Sequence, residues 1–504
     1  MSKSKVDLFS TEHLKNGMQQ RAIKSAGVTI TAQVFKLILQ VISIVLLARL
    51  LDPADFGLVA MVTVFTGLAL QFMEGGLSMA TIQSEKLNQS QVSNLFWVNS
   101  VLGLSLFLMS LLSSPLIAHL YNEPRLMPIM SVMSVVFLIG GVSVQHDALL
   151  RRQMQFKKIS VIDVSSMAMG VIAGVMTAFF GLQYWALVIS PITVITTKTI
   201  LRWLILCWIP SKFSRNSGVK PLLSFGANVT GANFIGYFAS NATPFAIGLV
   251  AGAQQLGFYN RANLINTLPS SQLLPPIISV LQPTIARISD EPSELKRTLL
   301  SLIGKLALAS TLITTIMAIF ADWIVFLLLG SSWSEAVPVF RLLAIYAFIQ
   351  PLAGLIAMAL VATGNPKAML NSKIHSLAIT VVALLIGSNW GWVGIVLSFS
   401  LSGIFFRLPV FLYYSSRFLP LTFWDLSKPI LPPVVCGLIT ILLMIWIKNH
   451  IFFESLTLGL FVLVPTCVFI YGIIAMMIRP ARFDILQLIS NIPVLFNRES
   501  STKI

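Results

Sequence analysis

Apolar residues run through this chain in continuous blocks of about twenty, and polar residues collect in the short gaps between them. A block of that length crosses the roughly 30 Å hydrocarbon layer of a bilayer as an α-helix, because each residue rises about 1.5 Å. The alternating pattern of a transmembrane β-barrel is absent, which excludes that class. Fourteen spans are expected, near 28–50, 56–78, 94–113, 126–147, 160–180, 183–208, 222–250, 264–287, 299–320, 337–362, 370–388, 391–414, 429–447 and 454–478. The stretches around 114–124 and 321–336 read as short half-buried helices at a membrane face. The expected fold class is an all-α polytopic membrane protein.

The two halves of the pattern match. LLDPADFGLVAM (50–61) and VAGAQQLGFYNRA (250–262) each follow a long span and reach a glycine, Gly57 or Gly257. At the same offset Gln33 faces Asn233, Gln40 faces Ser240, and Glu74-Gly75-Gly76 faces Leu274-Pro275-Pro276. Each half holds six spans, an even number, so the repeat is parallel and favours a transporter with its site between two lobes. The domains expected are a cytoplasmic arm (1–27), an N-lobe (28–208), a cytoplasmic linker (209–221), a C-lobe (222–414), a loop with spans thirteen and fourteen (415–478) and a cytoplasmic tail (479–504).

Composition agrees: 56% of the 504 residues are hydrophobic and only 10% charged, with a mean hydropathy of +0.85. The net charge of +16 would point to nucleic acid in a soluble protein. Here its placement is topological. One set of loops carries Lys86, Arg151, Arg152, Lys157, Lys158, Lys212, Arg215 and Lys220 in the first half alone, whereas the opposite loops of the whole chain carry only Arg125, Arg261 and Lys448. By the positive-inside rule both termini are cytoplasmic, and no nucleic-acid partner is expected. Cys207, Cys436 and Cys467 lie in apolar stretches, so neither a disulfide framework nor a metal site is expected. The polar, basic N-terminal arm is too long for a signal peptide.

Within the spans the ionisable residues are mostly cations: Lys36, Arg49, Lys198, Arg202, Lys305, Arg341 and Arg407, against Glu74 and Asp163, with His146 and Asp147 near a span end. Internal ion pairing alone would balance the signs, so the excess suggests a cavity that attracts an anion. Arg49, Lys198, Lys305 and Arg341 also sit close enough to span ends to snorkel. Lys36, in TAQVFKLILQ, lies about 13 Å into the layer and is hardest to explain that way. Thr29, Gln33, Lys36 and Gln40 share one helix face, and Thr230, Asn233, Tyr237 and Asn241 repeat the arrangement in the seventh span. Such a stripe is a helix–helix seam or the wall of a polar cavity. Glu74 marks a helix break or an ion-coupling site, and Asp163 a helix cap or a second coupling site. Pro269, Pro275, Pro276 and Pro283 make the eighth span a hinge or a bent packing helix. No nucleotide-binding, hydrolase or metal motif occurs, so the chain is not expected to be an enzyme or to hold a cofactor.

LARLLDPADFGLVAM (47–61), GLSMATIQSEKLNQSQVSNLFWVN (76–99) and QHDALLRRQMQFKKIS (145–160) resemble the polysaccharide-exporter branch of the multidrug/oligosaccharidyl-lipid/polysaccharide (MOP) superfamily, nearest to Wzx proteins of the colanic-acid-exporter type. The resemblance implies a fourteen-helix, two-lobed flippase of the bacterial inner membrane. It further implies a polyprenyl-pyrophosphate-linked oligosaccharide as substrate, contact with membrane lipids, a cationic central cavity, and polysaccharide polymerase and chain-length machinery as partners. The competing readings are a lipid II flippase, a multidrug antiporter, or a membrane-embedded polymerase or ligase. An antiporter for organic cations calls for acids and aromatics where this chain has bases, and the enzymes carry a sizeable external domain where this chain has short loops.

Overall fold

A bilayer offers the backbone no hydrogen-bond partners, so a spanning segment must satisfy its own as a helix. The computed structural model describes Phe9 and residues 18–74, 76–84, 87–214, 220–451 and 455–496, and every regular element among these is helical. The chain forms two compact units, Met1–Gly257 and Phe258–Ile504. The first holds α1 (Met18–Leu50), α2 (Pro53–Glu74), α3 (Leu77–Gln83), α4 (Gln89–Leu120), α5 (Leu126–Met133), α6 (Val135–Gly141), α7 (Val144–Arg152), α8 (Phe156–Phe179), α9 (Trp185–Leu206) and α10 (Lys220–Ala251), and ends in the first turns of α11 (Ala253–Arg287). The second holds the remainder of α11, then α12 (Pro292–Ile319), α13 (Ala321–Leu328), α14 (Ala336–Ala347), α15 (Ile349–Ala362), α16 (Pro366–Gly387), α17 (Gly391–Ser402), α18 (Leu408–Ser416), α19 (Phe423–Ser427), α20 (Leu431–His450), α21 (Leu456–Met477) and α22 (Arg479–Phe496).

Among the described residues ten helical segments are long and apolar enough to cross a membrane, or eleven if the pair Leu126–Gly141 and Val144–Arg152, bent by 44°, is one span. One of the ten, Pro366–Ser416, covers two expected spans, 370–388 and 391–414. Those at 222–250 and 264–287 fall on α10 and α11. The expected short helix at 321–336 is α13 followed by a 3₁₀ turn at Ser331–Trp333. The stretch around 114–124 is different from the expectation: α4 continues through Pro115 to Leu120, so no separate helix forms there. Gly76 forms a bend ahead of α3, and α11 is unbroken through Pro269, Pro275, Pro276 and Pro283.

Two glycines pack against each other's helices inside the first unit. A Cβ on Gly57 would strike the carbonyl of Ala253, and one on Gly257 would strike the carbonyl of Pro53. The contact is reciprocal between the starts of α2 and α11. Two glycines allow the backbones to meet.

Small residues also set the layer that carries the charges. Gly170 and Gly174 of α8 face α9, where a Cβ on Gly174 would lie 3.0 Å from the Ser190 Cβ and 3.3 Å from the Ala186 carbonyl. This small-xxx-small face brings α8 and α9 together, and α1 packs on α8. Below them, Val92, Leu149, Leu150, Ile162 and Trp208 form a buried core with Phe9 packed against it. The buried Arg152 guanidinium donates to the carbonyls of Thr81 (3.1 Å), Ser84 and Phe9 (3.1 Å), tying the end of α3 to the N-terminal arm. The start of the linker after α9 lies along α4: Trp97 donates to the Ser211 carbonyl at 2.9 Å, and Asn94 accepts from the Ser214 N–H at 2.9 Å.

Candidate functional site

In the first unit the α8–α9 contact sets Asp163 and Lys198 side by side, with Lys198 Nζ 3.2 Å from Asp163 Oδ1. Lys36, from α1, approaches the other carboxylate oxygen at 3.9 Å, outside hydrogen-bond range. Asp147, at the start of α7, takes Arg202 Nη2 at 2.8 Å and Arg151 Nε at 2.7 Å. Arg202 also donates to the Ser143 hydroxyl at 3.2 Å. Four cations therefore share two carboxylates, which leaves two positive charges in excess. Thr29, Gln33, Lys36, Arg151, Ser160 and Asp163 line a cavity of about 290 Å³. Lys36 and Asp163 are 33% and 21% exposed, so the charges face the cavity and are not sealed in a core. A polyanion entering here finds hydroxyl and amide groups beside ammonium and guanidinium donors.

The structure brings together the expected Thr29, Gln33, Lys36, Lys198, Arg202 and Asp163 and adds Arg151 and Asp147. Gln40 is half-buried on α1 and does not line this cavity. Arg49 is exposed in the last turn of α1, where a helix C-terminus favours a cation. The side chains of Glu74, Thr230, Asn233 and Pro276 lie outside the described residues. Tyr237 and Asn241 serve a seam: the Tyr237 hydroxyl donates to the carbonyls of Thr63 (3.1 Å) and Val64 (2.8 Å) on α2, and Asn241 Nδ2 donates to the Tyr237 carbonyl at 2.9 Å.

In the second unit Arg407 closes a π-helical segment, Gly403–Arg407, between α17 and α18. The residue is buried, at 8% relative exposure, with the guanidinium carbon 4.2 Å from the Phe399 ring centre and 4.6 Å from that of Tyr346. It lines a cavity of about 580 Å³ together with Lys373 of α16, and among the described residues none in the lining is acidic. Arg341 stands elsewhere: it is half exposed and lies 3.6 Å from Asp322, a carboxylate that Lys448 holds with both oxygens at 2.7 and 2.9 Å. Lys305 neighbours Gly304, on which the Asp484 carboxyl of α22 is seated. Burial pushes the Asp484 carboxyl above its ordinary pKa, and the Lys305 charge pulls it back. Pro269 lines a small cavity of about 120 Å³ with Asn266, while Pro275 and Pro283 are exposed.

A sequence profile of the family described as "Polysaccharide biosynthesis protein" matches residues 46–338. The chain belongs to this family. The resemblance read from residues 47–61, 76–99 and 145–160 is thereby borne out, and the three cluster cations outside α1, Arg151, Lys198 and Arg202, lie within the matched stretch. The chain is 25% identical over 391 residues to the lipopolysaccharide biosynthesis protein WzxC of Escherichia coli (strain K12), covering 76% of this chain and 79% of that protein. It is 26% identical over 359 residues to the teichuronic acid biosynthesis protein TuaB of Bacillus subtilis (strain 168), covering 70% and 72%. Among solved structures it resembles the lipid II flippase MurJ in an inward closed conformation, with a TM-score of 0.69, 14% identity and coverage of 90% of this chain and 98% of that one. That likeness establishes the fold: a polytopic helical membrane protein.

Two members of the charged sites escape sequence reading. Arg151 and Lys373 count as loop cations under the positive-inside rule, which uses the same residue types as an anion site. Their only sequence signal is proximity to a span end, shared by many bases that bind nothing.

Proposed function

We propose that this protein is a flippase that moves undecaprenyl-pyrophosphate-linked oligosaccharide repeat units across the bacterial inner membrane, for surface polysaccharide such as O-antigen, capsule or exopolysaccharide. The observation that carries this reading is the cluster of Lys36, Lys198, Arg151 and Arg202 around only two carboxylates, beside the hydroxyl and amide groups of Thr29, Gln33 and Ser160. Pyrophosphate needs cationic donors and a sugar chain needs neutral ones. The names of the relatives, which concern lipopolysaccharide, teichuronic acid and lipid II, support the same substrate class. Transport proceeds by alternating access, with the repeats 28–208 and 222–414 as the moving parts and the prolines of α11 as hinge points. Both termini are cytoplasmic in this reading, and a polysaccharide polymerase with its chain-length machinery is the partner downstream. Asp163 acts as a placeholder anion that substrate phosphate displaces from Lys36, and Glu74 and Asp163 are the candidate residues for coupling to an ion gradient. An antiporter for organic cations is disfavoured by the positive excess, and a polymerase or ligase by the short loops.

The test is complementation of the source strain deleted for this protein, comparing wild type, Lys36→Ala and Lys36→Arg at equal membrane abundance. Loss of surface polysaccharide with alanine and its return with arginine is the expected result. Normal export by Lys36→Ala overturns the role of the cluster.

A further inference from the structure

The second unit holds a cation that nothing in the first unit's chemistry explains. Arg407 is buried, about 14 Å of helix from the end of α18 at Ser416. Among the described residues it makes no ion pair: its Nη2 donates to the Phe399 carbonyl, and its Nε, shielded from solvent, has no hydrogen-bond partner. A guanidinium in a membrane interior without a counter-ion is strongly disfavoured, and rings of Tyr346 and Phe399 replace only part of its hydration. The π-helical turn at Gly403–Arg407 re-aims the side chain into the cavity; such turns recur at functional sites. Gly403 leaves the room: a Cβ there would meet the Tyr346 ring and lie 2.8 Å from Arg407 Nη2.

The cavity lining mixes two chemistries. Arg407, Lys373, Ser372, Ser376 and Gln282 are polar, whereas residues such as Met358 and Phe411 make up an apolar remainder. Its volume of about 580 Å³ falls among sites for small ligands and cannot take a whole lipid-linked oligosaccharide. A free sugar would waste the apolar wall, and a hydrocarbon would leave two cations unmatched. We propose that this cavity binds the phosphate end of a long-chain lipid, with Arg407 and Lys373 on the phosphate oxygens, Ser372 and Ser376 as neutral donors, and the first part of the chain along the apolar wall. The site goes beyond the flippase reading and its test needs no transport, so either can fail alone.

The experiment is equilibrium binding of farnesyl phosphate to the full-length protein in phosphatidylcholine nanodiscs, with farnesol, inorganic phosphate and phosphatidylglycerol as competitors. Saturable binding is expected, with farnesol and inorganic phosphate each at least about 100-fold weaker. Lys373→Gln should weaken binding about tenfold, as loss of one charge-assisted hydrogen bond does. Competition by phosphatidylglycerol at equal strength identifies a membrane phospholipid as the occupant, and failure to compete identifies a prenyl phosphate; both support the site. A diazirine analogue of farnesyl phosphate on the unmutated protein should label peptides of α11, α14, α15, α16 and α18, the helices that line the cavity, which keeps the outcome independent of how Arg407→Gln folds. Binding within twofold of wild type in Lys373→Gln, equal binding of farnesol or inorganic phosphate, or labelling confined to other helices overturns the proposal.

Discussion

Asp163 holds its two lysines unequally, and that difference is measurable. Lys198 reaches it at 3.2 Å, close enough for a charge-assisted hydrogen bond, and Lys36 stops at 3.9 Å, where only the Coulomb term remains. At an effective dielectric near 20 the two attractions are about 5 and 4 kcal/mol. All three side chains are between about a fifth and a third exposed, at 21%, 28% and 33%, so solvent screening and side-chain entropy remove most of this. What should remain is a coupling of about 1 kcal/mol for Asp163–Lys198 and about 0.5 kcal/mol for Asp163–Lys36. Two double-mutant cycles measure it, with Asp163→Asn paired first with Lys198→Met and then with Lys36→Met, by reversible SDS unfolding in mixed micelles. The expected order has Lys198 the more strongly coupled. A Lys36 coupling equal to or above that of Lys198 would refute the reasoning, because Lys36 would then be a structural partner of Asp163 and no longer a cation open to an anionic ligand.

Gly57→Ala and Gly257→Ala should each cost about 1–3 kcal/mol, since a Cβ on Gly257 would lie 2.7 Å from the Pro53 carbonyl carbon and 3.3 Å from the Gly57 nitrogen. The double variant should cost less than the sum, because one separation of the helices relieves both clashes; strict additivity in the same unfolding assay would deny the shared contact. Tyr237→Phe removes the donor to the Thr63 and Val64 carbonyls and should cost about 1 kcal/mol, with no loss meaning that the α2–α10 seam does not depend on that hydroxyl. Asp484 has its carboxyl pKa raised in the folded chain, so the folded state binds its proton more tightly than the unfolded state. Stability from this group therefore falls as pH rises from the unfolded value near 3.9 through the raised folded value, and stays lower above it. Asp484→Asn should flatten that part of the pH profile and raise the unfolding midpoint at neutral pH; parallel profiles for variant and wild type would contradict the assignment.

The spans were legible because lipid forces every crossing segment to close its own hydrogen bonds, which leaves a long apolar run with one structural outcome. Gly57 and Gly257 stood out in the sequence too, and a close backbone approach demands glycine at both positions. Helix ends were harder to place. Nothing in the composition around Pro115 separates a helix that ends from one that runs on, and α4 runs on. The block 126–147 hides a chain broken at Ser134 and bent by 44° before α7, a geometry decided by packing. The charged sites were partly visible: a cation excess can be counted, but its pairing joins residues 36, 163 and 198, which only the tertiary fold brings together. The same holds for Arg407, whose environment of Tyr346, Phe399 and Lys373 comes from three other helical stretches.

Transbilayer movement of a lipid-linked oligosaccharide in proteoliposomes containing only this purified protein tests the central claim most directly. The substrate is a fluorescent repeat unit on its polyprenyl pyrophosphate, placed in both leaflets and quenched from outside by an impermeant reductant. The account predicts that wild type exposes the inner pool to the quencher, that Lys36→Ala does so far more slowly, and that protein-free vesicles keep it hidden. An inner pool equally hidden with and without wild-type protein, under an imposed ion gradient as well as without one, would contradict the account.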